Sequence, residues 1–166
     1  SGKAPDCVVM NVTIRSMKLH GGAFGSRGGY RPTKDELETE NVEAVKIGAV
    51  TNLDRHIKNM AGFGVPVIVS INRFTSDTDA EIAALTDAAH ASGAKEVTVT
   101  EVHANGGAGG KDLANAVVKA IQNHVAAGRP FTPLFLNDAP IIDKMEAIAT
   151  RMYKAKDILI NPKAKK

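Results

Sequence analysis

The stretch Val65 to Glu81 leaves this chain few folds to choose from. It reads Val-Pro-Val-Ile-Val-Ser-Ile-Asn-Arg-Phe-Thr-Ser-Asp-Thr-Asp-Ala-Glu. Its first half, Pro66 to Ile71, is a short run of mostly β-branched apolar residues. A strand with a solvent side alternates apolar and polar residues, whereas a central parallel strand covered on both faces does not. The run stops at Asn72-Arg73-Phe74, and a polar turn over Thr75 to Asp77 leads into a helical pattern. Thr78 and Glu81 stand at capping-box spacing, which predicts a helix start there. Polar residues and one aromatic thus fall at the carboxyl end of a buried strand. In open α/β sheets that edge is where ligands bind.

The rest of the chain supplies units of the same kind. Cys7 to Thr13 reads as a first strand, followed by Arg15 to His20. Gly21 to Gly29 then holds five Gly in nine residues, either a plain flexible connection or a loop that covers a substrate. Val42, Val45, Ala49, Leu53, Ile57 and Met60 make one apolar stripe of a long helix, with Asn41 as N-cap and Gly62 and Gly64 as the stop. Glu43, Lys46, Asp54, Arg55 and Lys58 form its wet face. Ile82, Leu85 and Ala89 mark a second helix that ends at Gly93, and Glu96 to Val102 a further strand. That strand delivers Glu101, His103 and Asn105 to the glycines of Gly106 to Gly110. A helix through Leu113, Val117, Ala120 and Ile121 comes directly after. Phe131 to Leu136 is an apolar connection, and Asp138 with Pro140 opens a helix whose face carries Ile141, Met145, Ile148 and Met152. Asp157 to Ile160 reads as a last short strand. Alternation of strand and helix argues for right-handed βαβ units: an α/β fold of three layers, with a mostly parallel sheet and flanking helices, in a single domain over 1–166.

Length and charge narrow the function. A chain of 166 residues supports one domain with a real core. The formal charge of +3 comes from 21 basic against 18 acidic residues, and much of the excess lies in Lys163, Lys165 and Lys166. A basic tail of this kind solvates, so a nucleic-acid surface is not expected. No stretch approaches the ~20 apolar residues that span a bilayer, so no membrane partner is expected either. The lone Cys7 reads as a small buried hydrophobe; it excludes an internal disulfide, offers no metal-ligand spacing and fits a reducing, cytoplasmic compartment. Ser1-Gly2-Lys3 lacks the pattern of a signal peptide. With no initiator Met before a buried-type strand, the start reads as a cut inside a larger protein.

Three groups of residues invite chemistry. Gly106 to Gly110 before a helix is a candidate anion site, because free backbone N–H groups and a helix N-terminus favour negative charge. It is not a P-loop: no Gly-Lys-Ser or Gly-Lys-Thr follows, and Lys111 lacks the hydroxyl partner. These residues alone should not catalyse phosphoryl transfer. Asn72-Arg73-Phe74-Thr75 is similar to the base-reading corner of P-loop NTPases, or else caps the strand-to-helix turn. Phe74 is a large ring in a polar turn, and a flat ligand is one thing it could pack on. His103 on the neighbouring loop is its possible counterpart or a structural histidine. No Ser-His-Asp arrangement, metal cluster or isolated carboxylate pair stands out, so no catalytic residue and no metal ligand is assigned.

The motifs also carry a family resemblance. Thr13-Ile14-Arg15, Lys18, His20-Gly21-Gly22, Glu40-Asn41, Asn52-Leu53, His56-Ile57, Phe63-Gly64-Val65-Pro66-Val67, Ile71-Asn72-Arg73-Phe74, Asp77-Thr78, Glu101-Val102 with Gly106-Gly107, and Pro162-Lys163-Ala164-Lys165 follow in order. Together they resemble formate–tetrahydrofolate ligase, also called formyltetrahydrofolate synthetase, over nearly the whole chain. The resemblance implies an enzyme of one-carbon metabolism that uses ATP and magnesium to make formyl phosphate from formate, then passes the formyl group to tetrahydrofolate. It implies a P-loop-NTPase-like core, a monovalent cation and a homo-oligomer, with the P-loop upstream in the remainder of the ligase chain. By position, Phe74, His103 and Glu101 would bind folate, and Asn72, Arg73, Gly106 and Gly107 would line the nucleotide side. The family wall reads Glu-Val-Trp-Ala-Lys-Gly-Gly, whereas this chain has Glu101-Val102-His103-Ala104-Asn105-Gly106-Gly107. An imidazole buries less area than an indole, so the departure bears on folate affinity. The alternative is a non-catalytic relative that keeps the scaffold as a binding or assembly module.

Overall fold

A computed structural model describes residues 4–23, 32–128 and 130–165. They group into two units, Ser1–Phe131 and Thr132–Lys166. The first is built on a parallel sheet of β1 (Val8–Val12), β2 (Val67–Asn72) and β3 (Glu96–Thr100) in the order β1-β2-β3. Register runs Val8 beside Val67 and Ile68 beside Glu96. Val67 through Ile71 are buried without alternation, as a strand flanked and covered on both faces requires.

Helices cover both faces. On one, Val67, Val69 and Ile71 meet α1 (Ile14–His20), α3 (Val42–Gly48) and α5 (Asp79–Ala91) through Ile14, Met17, Val45 and Leu85. On the other, Ile68 meets Ala116 and Ala120 of α7 (Lys111–Ala126), with Cys7 partly buried beside them. The small α2 spans Lys34–Glu38. The predicted long helix is α3, then a π-helical turn over Ala49–Leu53, then α4 (Asp54–Ala61). Its stripe is buried at Val45, Ala49, Leu53 and Ile57. The Asn41 side chain accepts the Ala44 N–H at 2.9 Å, so the predicted N-cap is present. Thr78 and Glu81 form the full capping box of α5.

Two glycines let α1 and α3 touch backbone to backbone. A Cβ on Gly48 would run into the Met17 carbonyl, and one on Gly21 into the Ala44 carbonyl. Gly21 is therefore a packing residue rather than the start of a loose loop. The glycine-rich segment 24–31 lies outside the described residues.

The structure corrects several boundaries. The first strand ends at Val12, because Thr13 turns aside to cap α1, accepting the Ser16 N–H at 3.1 Å. Cys7 lies just before the strand and is half-buried rather than buried. Strand β3 stops at Thr100; α6 (Val102–Asn105) follows, and Gly106–Gly110 is a 3-10 turn rather than an open loop. Asp157 to Ile160 is not a strand, and Leu159 is fully exposed. An apolar run becomes a strand only where a neighbour offers a hydrogen-bonding edge, and none pairs with it among the described residues. In the second unit, α8 (Ile141–Ala147) starts at Pro140 and continues into a π turn over Ile148–Met152. Arg151 Nη1 donates to the Leu134 carbonyl at 2.7 Å there.

Candidate functional site

Because β2 and β3 are parallel neighbours, their carboxyl ends present Asn72, Arg73 and Phe74 beside Glu101 on one edge. The Arg73 N–H donates to the Thr100 carbonyl at 3.0 Å, which carries the ladder one residue past β2. Its guanidinium pairs with Asp79 Oδ1 at 2.9 Å and lies 3.9 Å from Glu101 Oε1. Asp79 is almost fully exposed, so that pair orients Arg73 more than it stabilises the fold. Glu101 Oε2 accepts from Asn105 Nδ2 at 3.3 Å. Arg73, Glu101 and Asn105 thus form one polar row along the edge.

The Phe74 turn is locked by reciprocal bonds. Asp77 Oδ2 accepts the Phe74 N–H at 2.8 Å, and the Asp77 N–H donates to the Phe74 carbonyl at 3.0 Å. Asp77 is buried, and its Oδ1 has no hydrogen-bond partner among the described residues. Burial pushes its carboxyl above the ordinary range; the Phe74 N–H pulls the other way without prevailing. Phe74 is 37% exposed. The Arg15 guanidinium lies over it, 4.2 Å from the centroid, and Arg15 Nη2 donates to Ser76 Oγ at 3.3 Å. The ring's observed partner is therefore Arg15, not His103, which sits exposed on α6 past β3.

Beneath the turn, Lys18 and Glu81 form a buried ion pair of 2.7 Å, both side chains at 0% exposure. Lys18 Nζ also donates to the carbonyls of Thr39 at 2.9 Å and Leu37 at 3.2 Å. Glu81 accepts the N–H groups of Asn41 at 2.8 Å and Thr78 at 3.1 Å. Burial alone would raise the Glu81 carboxyl, but Lys18 and these N–H groups together hold it below its ordinary range. The pair pins α1, the segment before α3 and the start of α5 to one another. Sequence reasoning missed it, although each residue continues an apolar stripe: Lys18 stands four after Ile14, and Glu81 four before Leu85.

The glycine turn closes on Glu101, whose N–H donates to the Gly109 carbonyl at 3.1 Å. A Cβ on Gly109 would lie 2.5 Å from the Glu101 carbonyl oxygen, so only glycine fits there. Gly106 and Gly107 border open space, and Gly106 has φ +56°. No group of three His, Cys, Asp or Glu among the described residues is placed to hold a metal. A cavity of about 440 Å³ lies elsewhere, at the amino edge of the sheet beside Pro66, Lys95 and Lys119, and none of the predicted site residues lines it.

The domain is of the α/β class, with polar residues and an aromatic at the carboxyl edge of its central strand, the edge at which open α/β sheets place their ligand sites. The sequence profile of formate–tetrahydrofolate ligase matches residues 1–166. A curated formate–tetrahydrofolate ligase from Granulibacter bethesdensis is 43% identical over 166 residues, covering 100% of this chain and 27% of that protein. The chain belongs to the formate–tetrahydrofolate ligase family, a family of ligase enzymes. It spans about a quarter of the length of that relative. No helix of the described residues is long and apolar enough to cross a membrane.

Proposed function

We propose that this chain is the folate- and nucleotide-edge portion of an ATP-dependent ligase that makes formyltetrahydrofolate from formate and tetrahydrofolate through formyl phosphate. Family membership supports the reaction. The observation that carries the site is the exposed Phe74 ring at the carboxyl end of β2, beside Arg73 and Glu101. In this reading Phe74 stacks on the pteridine, with His103 and Glu101 on the second wall. Asn72, Arg73, Gly106 and Gly107 border the nucleotide.

The phosphate cradle, magnesium and the monovalent cation belong to other parts of the ligase, whose core is P-loop-NTPase-like and which works as a homo-oligomer in the cytoplasm. When bound, magnesium would neutralise phosphate charge during transfer. The residues of this chain orient and desolvate the flat substrate. The test is Phe74→Ala in the full-length ligase. Tetrahydrofolate binding should weaken by about 1–3 kcal/mol, the scale of a lost aromatic contact with its buried area, while ATP binding stays within twofold. Equal effects on both ligands, or none on folate, would refute the assignment.

A further inference from the structure

The reading of Phe74 as a stacking residue leaves open what holds the ring in place. A ring in a surface turn pays rotamer entropy when a ligand immobilises it, so a ring fixed beforehand binds more tightly. Here the turn backbone is closed by Asp77 from both directions. The side chain, in contrast, is held from outside its own element, by Arg15 of α1.

We infer that Arg15 is a positioning residue for Phe74, its guanidinium backing one ring face so that the other is set to receive a planar heterocycle. The inference rests on the folate reading above. Its geometry is specific: Cζ of Arg15 lies over the ring, 4.2 Å from its centroid and well within cation–π range, and Nη2 is tied to Ser76 two residues further along the same turn. Ser76 thus anchors the guanidinium that lies over the ring. Phe74 as a residue is still 37% exposed with the guanidinium in place, so the contact does not bury it. Arg15 Nε is buried and has no hydrogen-bond partner among the described residues. The Arg15 contacts that the structure shows therefore point to Phe74 and its turn. Lysine would keep the charge but lose the flat surface and the fork that reaches Ser76.

The test is a double-mutant cycle in the full-length ligase, with tetrahydrofolate and ATP binding measured by titration calorimetry alongside KM and kcat. Arg15→Gln should weaken tetrahydrofolate by about three- to tenfold, the size expected for an exposed cation–π contact and one immobilised side chain. KM for folate should rise with kcat and ATP affinity unchanged, and Arg15→Lys should recover part of the loss. In a Phe74→Ala background, Arg15→Gln should add nothing. Ser76→Ala should give a smaller loss of the same kind, which keeps the test available if Arg15→Gln folds poorly. A full additive effect in the Phe74→Ala background would show Arg15 acting on the ligand directly and overturn the inference. Tighter folate binding in Arg15→Gln would mean that the guanidinium occupies the ligand's seat, and would overturn it too. Normal folate binding in Phe74→Ala removes both readings, whereas a loss there with none in Arg15→Gln removes this one alone.

Discussion

Replacing Lys18 by Met should cost this fold about 3–5 kcal/mol, the range for breaking a buried ion pair from one side. The structure says why the upper part of that range is in reach. Both side chains are fully buried, and the lysine serves Glu81, Thr39 and Leu37 at once. Met fills much of the lysine's volume, so the loss is electrostatic rather than a cavity. It leaves a carboxylate in the core with only the Asn41 and Thr78 N–H groups, and two carbonyls without their donor. Whole domains are stable by only about 5–15 kcal/mol, so the change should be plain in urea unfolding at pH 7. Lys18→Met/Glu81→Gln should regain part of the loss, because it removes the unpaired charge and the amide oxygen still accepts one of the two N–H groups that the two carboxylate oxygens share. The pH dependence gives a sign as well. In the parent, Glu81 lies below its ordinary 4.5, so its contribution is present above that pH and lost as pH falls through the folded value. In Lys18→Met burial is left to dominate, so the deficit should shrink as the carboxyl is protonated on going from pH 7 towards 4. A deficit under 1 kcal/mol, or one that does not change with pH, would refute the reasoning.

Three other outcomes are expected. Gly48→Ala should destabilise by about 1–3 kcal/mol in denaturant titrations despite the better helix propensity of Ala, because its Cβ meets rigid Met17 backbone; an unchanged midpoint would count against the close α1–α3 contact. Asp77 has a raised carboxyl, so its contribution is greatest below its ordinary 3.8 and falls as pH rises through the folded value. Asp77→Asn should therefore match the parent near pH 3 and equal or exceed it in melting temperature at pH 7, and a large loss at pH 7 would contradict this. In the full-length ligase, His103→Trp should tighten tetrahydrofolate by about 1 kcal/mol in a binding titration, and no gain would separate His103 from the folate wall.

Much of the frame was legible because it is written locally. The unbroken Pro66–Ile71 run, the Asn41 cap and the Thr78–Glu81 box each need only a few neighbouring residues, and the structure has all three. The misreadings depended on partners distant in sequence. Ile158-Leu159-Ile160 has strand composition but no paired edge among the described residues. Glu81 was legible as a cap and not as half of a buried pair, since Lys18 lies on another helix. Phe74 drew notice as an aromatic in a polar turn, but that turn says nothing of Arg15, which α1 brings in from before the sheet's central strand.

The same separation between local and distant contacts sets an order of assembly. β2, α5 and β3 follow one another without interruption and can pair early, at small loop-closure cost. On loop-closure grounds β1 and α1 are expected to join them after the long α3–α4 helix has folded back. The Lys18–Glu81 bond, which needs both parts in place, is therefore a late event. A late contact leaves the folding rate nearly unchanged and governs how slowly the domain comes apart. In a chevron plot, Lys18→Met should lift the unfolding limb and spare the folding limb; an equal shift in both would place the pair in the folding nucleus. On this account the buried pair is a lock on the lifetime of the folded domain, closed last and opened first.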